Sequence, residues 1–183
     1  KERTGPTLVV VESPAKARTI QKYLDPSGKE YLVDACYGHV RDLPKSAADV
    51  PKEHKGKPWA RFGIDVDNGF EPMYVVVKDR RGKVSELSKA AREAKDVILA
   101  TDGDREGEAI SWHLAQILPS PPGGPDEFKR VTFGEITKST LLAAFESPRK
   151  IDERLVLAQE TRRLLDRLTG FGLSEVLFKK VAP

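Results

Sequence analysis

Residues 96–118, DVILATDGDREGEAISWHLAQIL, hold the pattern that most limits what this chain can fold into. Val97, Ile98, Leu99 and Ala100 form an unbroken apolar run, as expected of a strand buried on both faces of a parallel sheet. Ala109, Ile110, His113, Leu114 and Ile117 recur at spacings of three and four, which predicts a helix. Between them Asp102, Asp104, Glu106 and Glu108 place four carboxylates in seven residues, with Gly103 and Gly107 interleaved. In an open α/β sheet, ligands bind beyond the carboxyl ends of the strands. Asp102 falls at such an end, Asp104 in the turn and Glu106 near the helix start, so their side chains can converge. That much negative charge is costly unless a cation joins it, and oxygen-only ligands suit a hard cation such as Mg²⁺. Acids in a first helical turn also complement the helix dipole. The dipole accounts for Glu106 and Glu108, but not for two aspartates one residue apart ahead of the helix.

A second strand end carries an acid as well. Residues 8–11, Leu-Val-Val-Val, read as a central strand, and Glu12 follows directly. Ser13 is a natural N-cap and Pro14 a natural first helical residue, ahead of Ala15, Ala17, Ile20, Tyr23 and Leu24 on an apolar side. Lys16 lies one turn in, placed to face an anion over that helix start. Acids at two strand ends favour a metal site over simple helix capping.

The remaining chain alternates in the same way. Residues 31–37 are rich in strand formers, and Gly38-His39-Val40-Arg41 follows. His39 reads equally as a structural histidine or as a phosphate contact. From 45 to 72 the periodicity dissolves into a long irregular excursion, basic at Lys52, His54, Lys55 and Lys57, with Trp59, Phe62 and Phe70 expected to order it. Residues 73–77 are another short apolar run, and Val84, Leu87, Ala90, Ala91 and Ala94 mark a helix. Residues 118–126, with four prolines and two glycines, read as a loop. A fourth strand is expected over 130–133, and Thr137 caps a helix carrying Leu141, Leu142, Ala144 and Phe145. A longer helix is expected from Ile151 to a stop at Gly170, with another beginning at 173. Its Arg154, Arg162, Arg163 and Arg167, with Gln159, suit either a phosphate track or a solvated face.

Bulk properties bound the rest. A chain of 183 residues allows one domain of ordinary size or one domain plus a fragment of another, and its 39% hydrophobic and 32% charged residues suit a soluble globular protein. The net charge of +3 permits a nucleic-acid partner without requiring one. One cysteine, Cys36, excludes an internal disulfide and fits a reducing compartment. No apolar run approaches the roughly 20 residues that span a bilayer, so no membrane partner is expected. The absence of an initial methionine suggests a segment cut from a longer chain.

Taken together, LVVVESPAKARTIQKYL at 8–24, GHVRDLP at 38–44, ATDGDREGEAISWHL at 100–114, RVTFGEIT at 130–137 and AQETRRLLDRLTGFGLS at 158–174 resemble the bacterial type IA DNA topoisomerase I family. The resemblance spans nearly the whole chain in the family's order. It implies an α/β fold: a Toprim (Rossmann-like) parallel four-stranded sheet flanked by helices over 1–150, with the excursion at 45–72, then the truncated start of a helical single-stranded-DNA-binding domain over 151–183. It implies that Glu12, Asp102, Asp104 and Glu106 position Mg²⁺, and that Glu12, Lys16 and Arg130 act at the scissile phosphate. His39, Arg41, Arg105, Gln159, Arg162, Arg163, Asp166, Arg167 and Phe171 would belong to strand binding. The implied substrate is a single-stranded region of negatively supercoiled DNA. The implied partners are the remaining domains of the parent chain, in a cytoplasmic, nucleoid-associated or organellar setting, with this segment monomeric. In that family the nucleophilic tyrosine lies in a later domain; Tyr23, Tyr31, Tyr37 and Tyr74 read as core or strand residues. The segment alone is therefore expected to be inactive. Phe171 and Phe178 depart from the tyrosine and tryptophan that relatives often carry. A stand-alone Toprim nucleic-acid-binding module and a Toprim nuclease are the alternatives.

Overall fold

The computed structural model describes residues 3–121 and 128–180. Most of the loop expected over 118–126 lies outside that range. Contacts divide the chain into two compact units, Lys1–Val40 with Val77–Val156, and Arg41–Val76 with Leu157–Pro183.

The first unit is built on four parallel strands. In chain order they are β1 (Thr7–Val11), β2 (Tyr31–Ala35), β7 (Val97–Leu99) and β8 (Lys129–Arg130), arranged β2-β1-β7-β8. The helices are α1 (Pro14–Leu24), α2 (Arg81–Glu93), α3 (Arg105–Ala115) and α4 (Lys138–Glu146), with the start of α5 (Glu153–Lys180). Alternate strand residues serve opposite faces, as the pleat requires. Leu8, Val10, Val97 and Leu99 pack with Leu87 and Ala91 of α2 and Ile110 and Leu114 of α3. Val9, Val11, Ile98 and Ala100 pack with Ala17 and Ile20 of α1 and Leu141 of α4. The result is a three-layer sandwich with a fully buried β1. From β1 the chain passes first to β2 on one side and later to β7 on the other. The crevice between the carboxyl ends of β1 and β7 is therefore the topological switch point.

Local chemistry explains why these elements begin and end where they do. Ser13 caps α1 by accepting from the Lys16 amide at 3.3 Å, and Thr137 caps α4. The open edge of β2 is closed by side chains. Gln21 of α1 donates to the Tyr31 carbonyl at 2.9 Å and accepts from the Val33 amide at 2.8 Å, acting as a substitute peptide group. Asp25 accepts from Tyr31 and Asp34 from Ala35, so no outward amide of the edge is left for another strand. The Ser27 hydroxyl above all, with the Glu30 and Tyr31 amides, holds the Asp25 carboxyl well below the usual carboxylate range.

Several boundaries differ from the sequence reading. The strand expected over 31–37 stops at Ala35, and Tyr37 adopts a left-handed φ of 62° with 48% exposure, so it is neither core nor strand. The fourth strand lies at Lys129–Arg130 rather than 130–133, where Arg130 also bridges to Arg149.

In the second unit the apolar run at 73–77 contributes β6 (Val75–Val76), antiparallel to β3 (Arg41–Asp42) rather than part of the main sheet. β4 (Ile64–Asp65) and β5 (Glu71–Pro72) form a short hairpin. Val50, Ala60 and Met73 make a small core with Trp59 against it, and Phe62 meets the Phe171 ring at 5.7 Å. Phe70, expected to help, is 53% exposed. α5 runs without a break through Gly170 to Lys180, in place of the stop and second helix expected there. A glycine costs a helix only about 1 kcal/mol, too little to end it alone.

Candidate active site

Parallel pairing of β1 with β7 sets Val10 beside Leu99, so the chain segments leaving both strands emerge side by side. Glu12 and Asp102 stand on those segments. The Asp102 amide donates to Glu12 Oε1, which ties the two strand ends directly. Lys16 Nζ, one turn into α1, donates to Glu12 Oε2 at 2.8 Å and also to Asp102 Oδ1. Burial works to lower the Lys16 pKa, but its hydrogen bonds to Asp102 and Glu12 and their charges outweigh this and raise it. These three groups, with Asp104, Glu106, Gly38 and Gly107, line a cleft of ≈ 280 Å³.

The other two acids have local duties. Asp104 is the N-cap of α3, its Oδ1 accepting from the Gly107 amide at 2.8 Å. Glu106 lies 3.3 Å from His39 Nε2, and the His39 ring packs edge-on to His113. Among the described residues no three carboxylate, histidine or cysteine side chains are placed closely enough to hold a metal ion. The donor chemistry nevertheless suits a hard cation, being all carboxylate oxygen. An ammonium already occupies the position between Glu12 and Asp102, which marks it as a cation seat.

The turn that presents Asp102 is fixed from below by a buried network the sequence reading missed. Arg130 is fully buried, and its guanidinium donates to the carbonyls of Leu99 (3.2 Å), Thr101 (2.8 Å), Val131 (2.7 Å) and Asp102 (2.5 Å). Its Nε donates to Glu108 at 3.0 Å. Glu108, read from the sequence as a dipole complement, is itself fully buried and also accepts from Arg149 at 2.7 and 2.8 Å and from the Asp152 amide at 2.6 Å. Burial alone would raise the Glu108 pKa; Arg149, the Asp152 amide and Arg130 together bring it below the ordinary value. Arg130, expected at the phosphate, thus meets the cleft through the backbone of Thr101 and Asp102. A carboxylate on the buried side of α3 was the available signal, but its partner Arg149 is 41 residues away.

Close approach also fixes Gly107. A Cβ there would stand 2.2 Å from the Asp102 carbonyl oxygen. Gly107→Ala is therefore expected to push α3 off the turn and destabilise the fold by about 1–3 kcal/mol, measured as a lowered urea midpoint; an unchanged midpoint would show that the turn has slack.

The expected strand-binding residues divide. Arg105 is exposed at the first position of α3. In the second unit Arg163 makes a bidentate pair with Asp42 (2.9 and 2.9 Å), and Arg167, 7% exposed, donates to the Pro44 and Leu43 carbonyls. Both are committed to holding the 41–44 segment on α5. Arg41 is half-buried over the Tyr74 ring at 5.5 Å, and Gln159 is half-buried. Arg162 and Asp166 are exposed and only 3.8 Å apart, and Phe171 keeps 36% exposure beside Arg167.

A parallel four-stranded sheet with acids at the two central strand ends defines an α/β site of the Toprim kind. Residues 7–136 match the family model "Toprim domain", and the chain belongs to that family. It is similar to longer proteins. It is 54% identical to DNA topoisomerase 1 of Synechococcus elongatus over 177 residues, 97% of this chain and 19% of that protein. It is 51% identical to DNA topoisomerase 1 of Mycobacterium tuberculosis over 181 residues, 98% and 18% respectively. The structure of full-length topoisomerase I from Thermotoga maritima superposes with a TM-score of 0.76 at 39% identity, covering 94% of this chain and 26% of that one. The chain thus spans about a fifth of the length of the curated relatives it matches.

Proposed function

We propose that this chain is the acid-bearing, phosphate-handling part of a type IA DNA topoisomerase, which relaxes negatively supercoiled DNA through transient single-strand cleavage. The observation that carries the reading is the meeting of Glu12 and Asp102, from two strand ends, around Lys16. Residues 1–150 serve as the Toprim domain and 151–183 begin the helical part that holds single-stranded DNA, with Arg162, Asp166 and Phe171 as its accessible contacts. Glu12 and Asp102 would form the Mg²⁺ seat, with Asp104 and Glu106 on the lining of the same cleft, and the charge of the bound ion would counter that building on phosphate oxygens. Lys16 neutralises the same phosphate from the α1 side. Glu12 accepts from the Lys16 ammonium at 2.8 Å, so beside the leaving 3′-oxygen it would relay a proton drawn from Lys16, which the proton released by the attacking tyrosine then restores. The phosphodiester is transferred to a tyrosine oxygen that another part of the parent protein supplies, and then back. Arg130 acts through the Thr101 and Asp102 carbonyls as a positioning residue. No described helix is long and apolar enough to cross a membrane; the reading places the protein, as a monomer, at the DNA of a bacterial cytoplasm or an organelle.

The test exchanges this chain for the matching segment of the Synechococcus DNA topoisomerase 1 and assays plasmid relaxation with Mg²⁺. The chimera is expected to relax negatively supercoiled plasmid, and Glu12→Gln or Asp102→Asn to slow it about a hundredfold or more. The 183-residue chain alone is expected to leave the plasmid supercoiled. Relaxation by the chain alone, or full activity of both variants, would overturn the reading; nicked products with free ends would favour a nuclease.

A further inference from the structure

Tyr37 has no part in the site described above, yet it lies beside it. The next residue, Gly38, lines the acid cleft and donates its amide to the Glu12 carbonyl at 3.2 Å. Tyr37 holds a left-handed backbone that a bulky side chain rarely takes, and it leaves 48% of its surface to solvent. The Arg80 guanidinium and the Lys83 ammonium stand 5.9 and 5.8 Å from its ring centroid. Beside the ring opens a second cleft, of ≈ 520 Å³, whose lining includes Arg18 and Lys22 from α1. The acid in that lining, Asp34, is neutralised by Lys83 at 2.8 Å. Gln21 spends its amide on the β2 edge. The cleft is therefore positive, with one exposed aromatic ring at its rim next to the acid site.

We infer that Tyr37 is a stacking platform for a base of single-stranded DNA leaving the acid cleft, with Arg18, Lys22 and Arg80 taking the adjoining phosphates. An exposed ring flanked by cations is how single strands are gripped without sequence preference, since every base presents a π-face. A duplex buries those faces in its own stack, so the geometry selects an unpaired strand. The inference rests on the DNA-handling reading and adds a contact beyond the strand-binding residues assigned above.

The strain at Tyr37 supplies a clean variant. Glycine suits a φ of 62°, so Tyr37→Gly removes the ring while leaving the fold at least as stable. Binding of fluorescein-labelled oligothymidylate to the 183-residue chain is measured by anisotropy at low salt for wild type, Tyr37→Phe and Tyr37→Gly, with urea midpoints recorded alongside. Tyr37→Phe is expected to bind within about twofold of wild type and Tyr37→Gly about tenfold more weakly. An oligonucleotide carrying 5-iodouracil is expected to photocrosslink to the peptide that contains Tyr37. If wild type binds and Tyr37→Gly binds equally well, the platform is refuted while the DNA reading stands. If wild type binds no strand at all, both fall.

Discussion

Replacing Glu108 by alanine is expected to destabilise the sheet-bearing unit by about 3–5 kcal/mol, the usual consequence of stranding one member of a buried ion pair. Arg130 is 0% exposed, and Glu108 is the carboxylate paired with it. Without Glu108 the guanidinium keeps only carbonyl acceptors, and Arg149 and the Asp152 amide lose theirs as well. Urea unfolding at neutral pH measures the loss; a change under 1 kcal/mol would show that water reaches Arg130. The pH dependence has a definite sign. The folded Glu108 pKa lies below the ordinary 4.5, so its contribution is complete above that value and is lost as pH falls through the folded pKa. Wild type should therefore lose stability below about pH 4.5, and Glu108→Ala should flatten that part of the profile. Because Arg130 grips the Thr101 and Asp102 carbonyls, the same substitution should also blur the position of Asp102.

The second large effect runs against the habit that removing a site residue weakens the site. Lys16→Met is expected to tighten Mg²⁺ binding by about tenfold or more. In the resting structure the ammonium bridges Glu12 and Asp102 and competes with a divalent cation for the same oxygens. Two unit charges about 4 Å apart interact by roughly 1–4 kcal/mol in partly solvated surroundings, and 1.4 kcal/mol is tenfold in affinity. Lys16 and Glu12 keep only 25% and 15% side-chain exposure, which supports a value inside that range, whereas Asp102 at 53% argues against the top of it. Without metal, the variant leaves two facing carboxylates and should be less stable than wild type; added Mg²⁺ should restore it. If Lys16→Met binds Mg²⁺ no better than wild type, the bridging ammonium does not occupy the cation seat.

How much of this was legible in the chain depended on range. The strand–acid–helix junctions after Val11 and Leu99 are local: an apolar run, a cap and a proline or glycine mark each one. The rule for parallel sheets then puts both ends on the same rim. What failed was set by partners far along the chain. Arg163 and Arg167 look like a phosphate track on a helical repeat, but Asp42, Leu43 and Pro44, more than 120 residues away, claim them. Glu108 looks like any acid in a first helical turn until Arg130 and Arg149 close over it. Tyr37 sits in a run of strand formers, and only the left-handed turn ahead of Gly38 shows that it faces solvent.

One cation seat shared by two strand ends underlies the proposed chemistry of this chain. Titrating Mg²⁺ into the ¹⁵N-labelled 183-residue chain while following the amides of Glu12 and Asp102 tests it most directly. Both signals should move with a single dissociation constant, those of Asp25 and Asp34 should stay still, and Lys16→Met should shift both curves together to lower Mg²⁺. Movement of Asp102 with Glu12 unaffected, or two unrelated binding curves, would mean that the strand ends do not form one site.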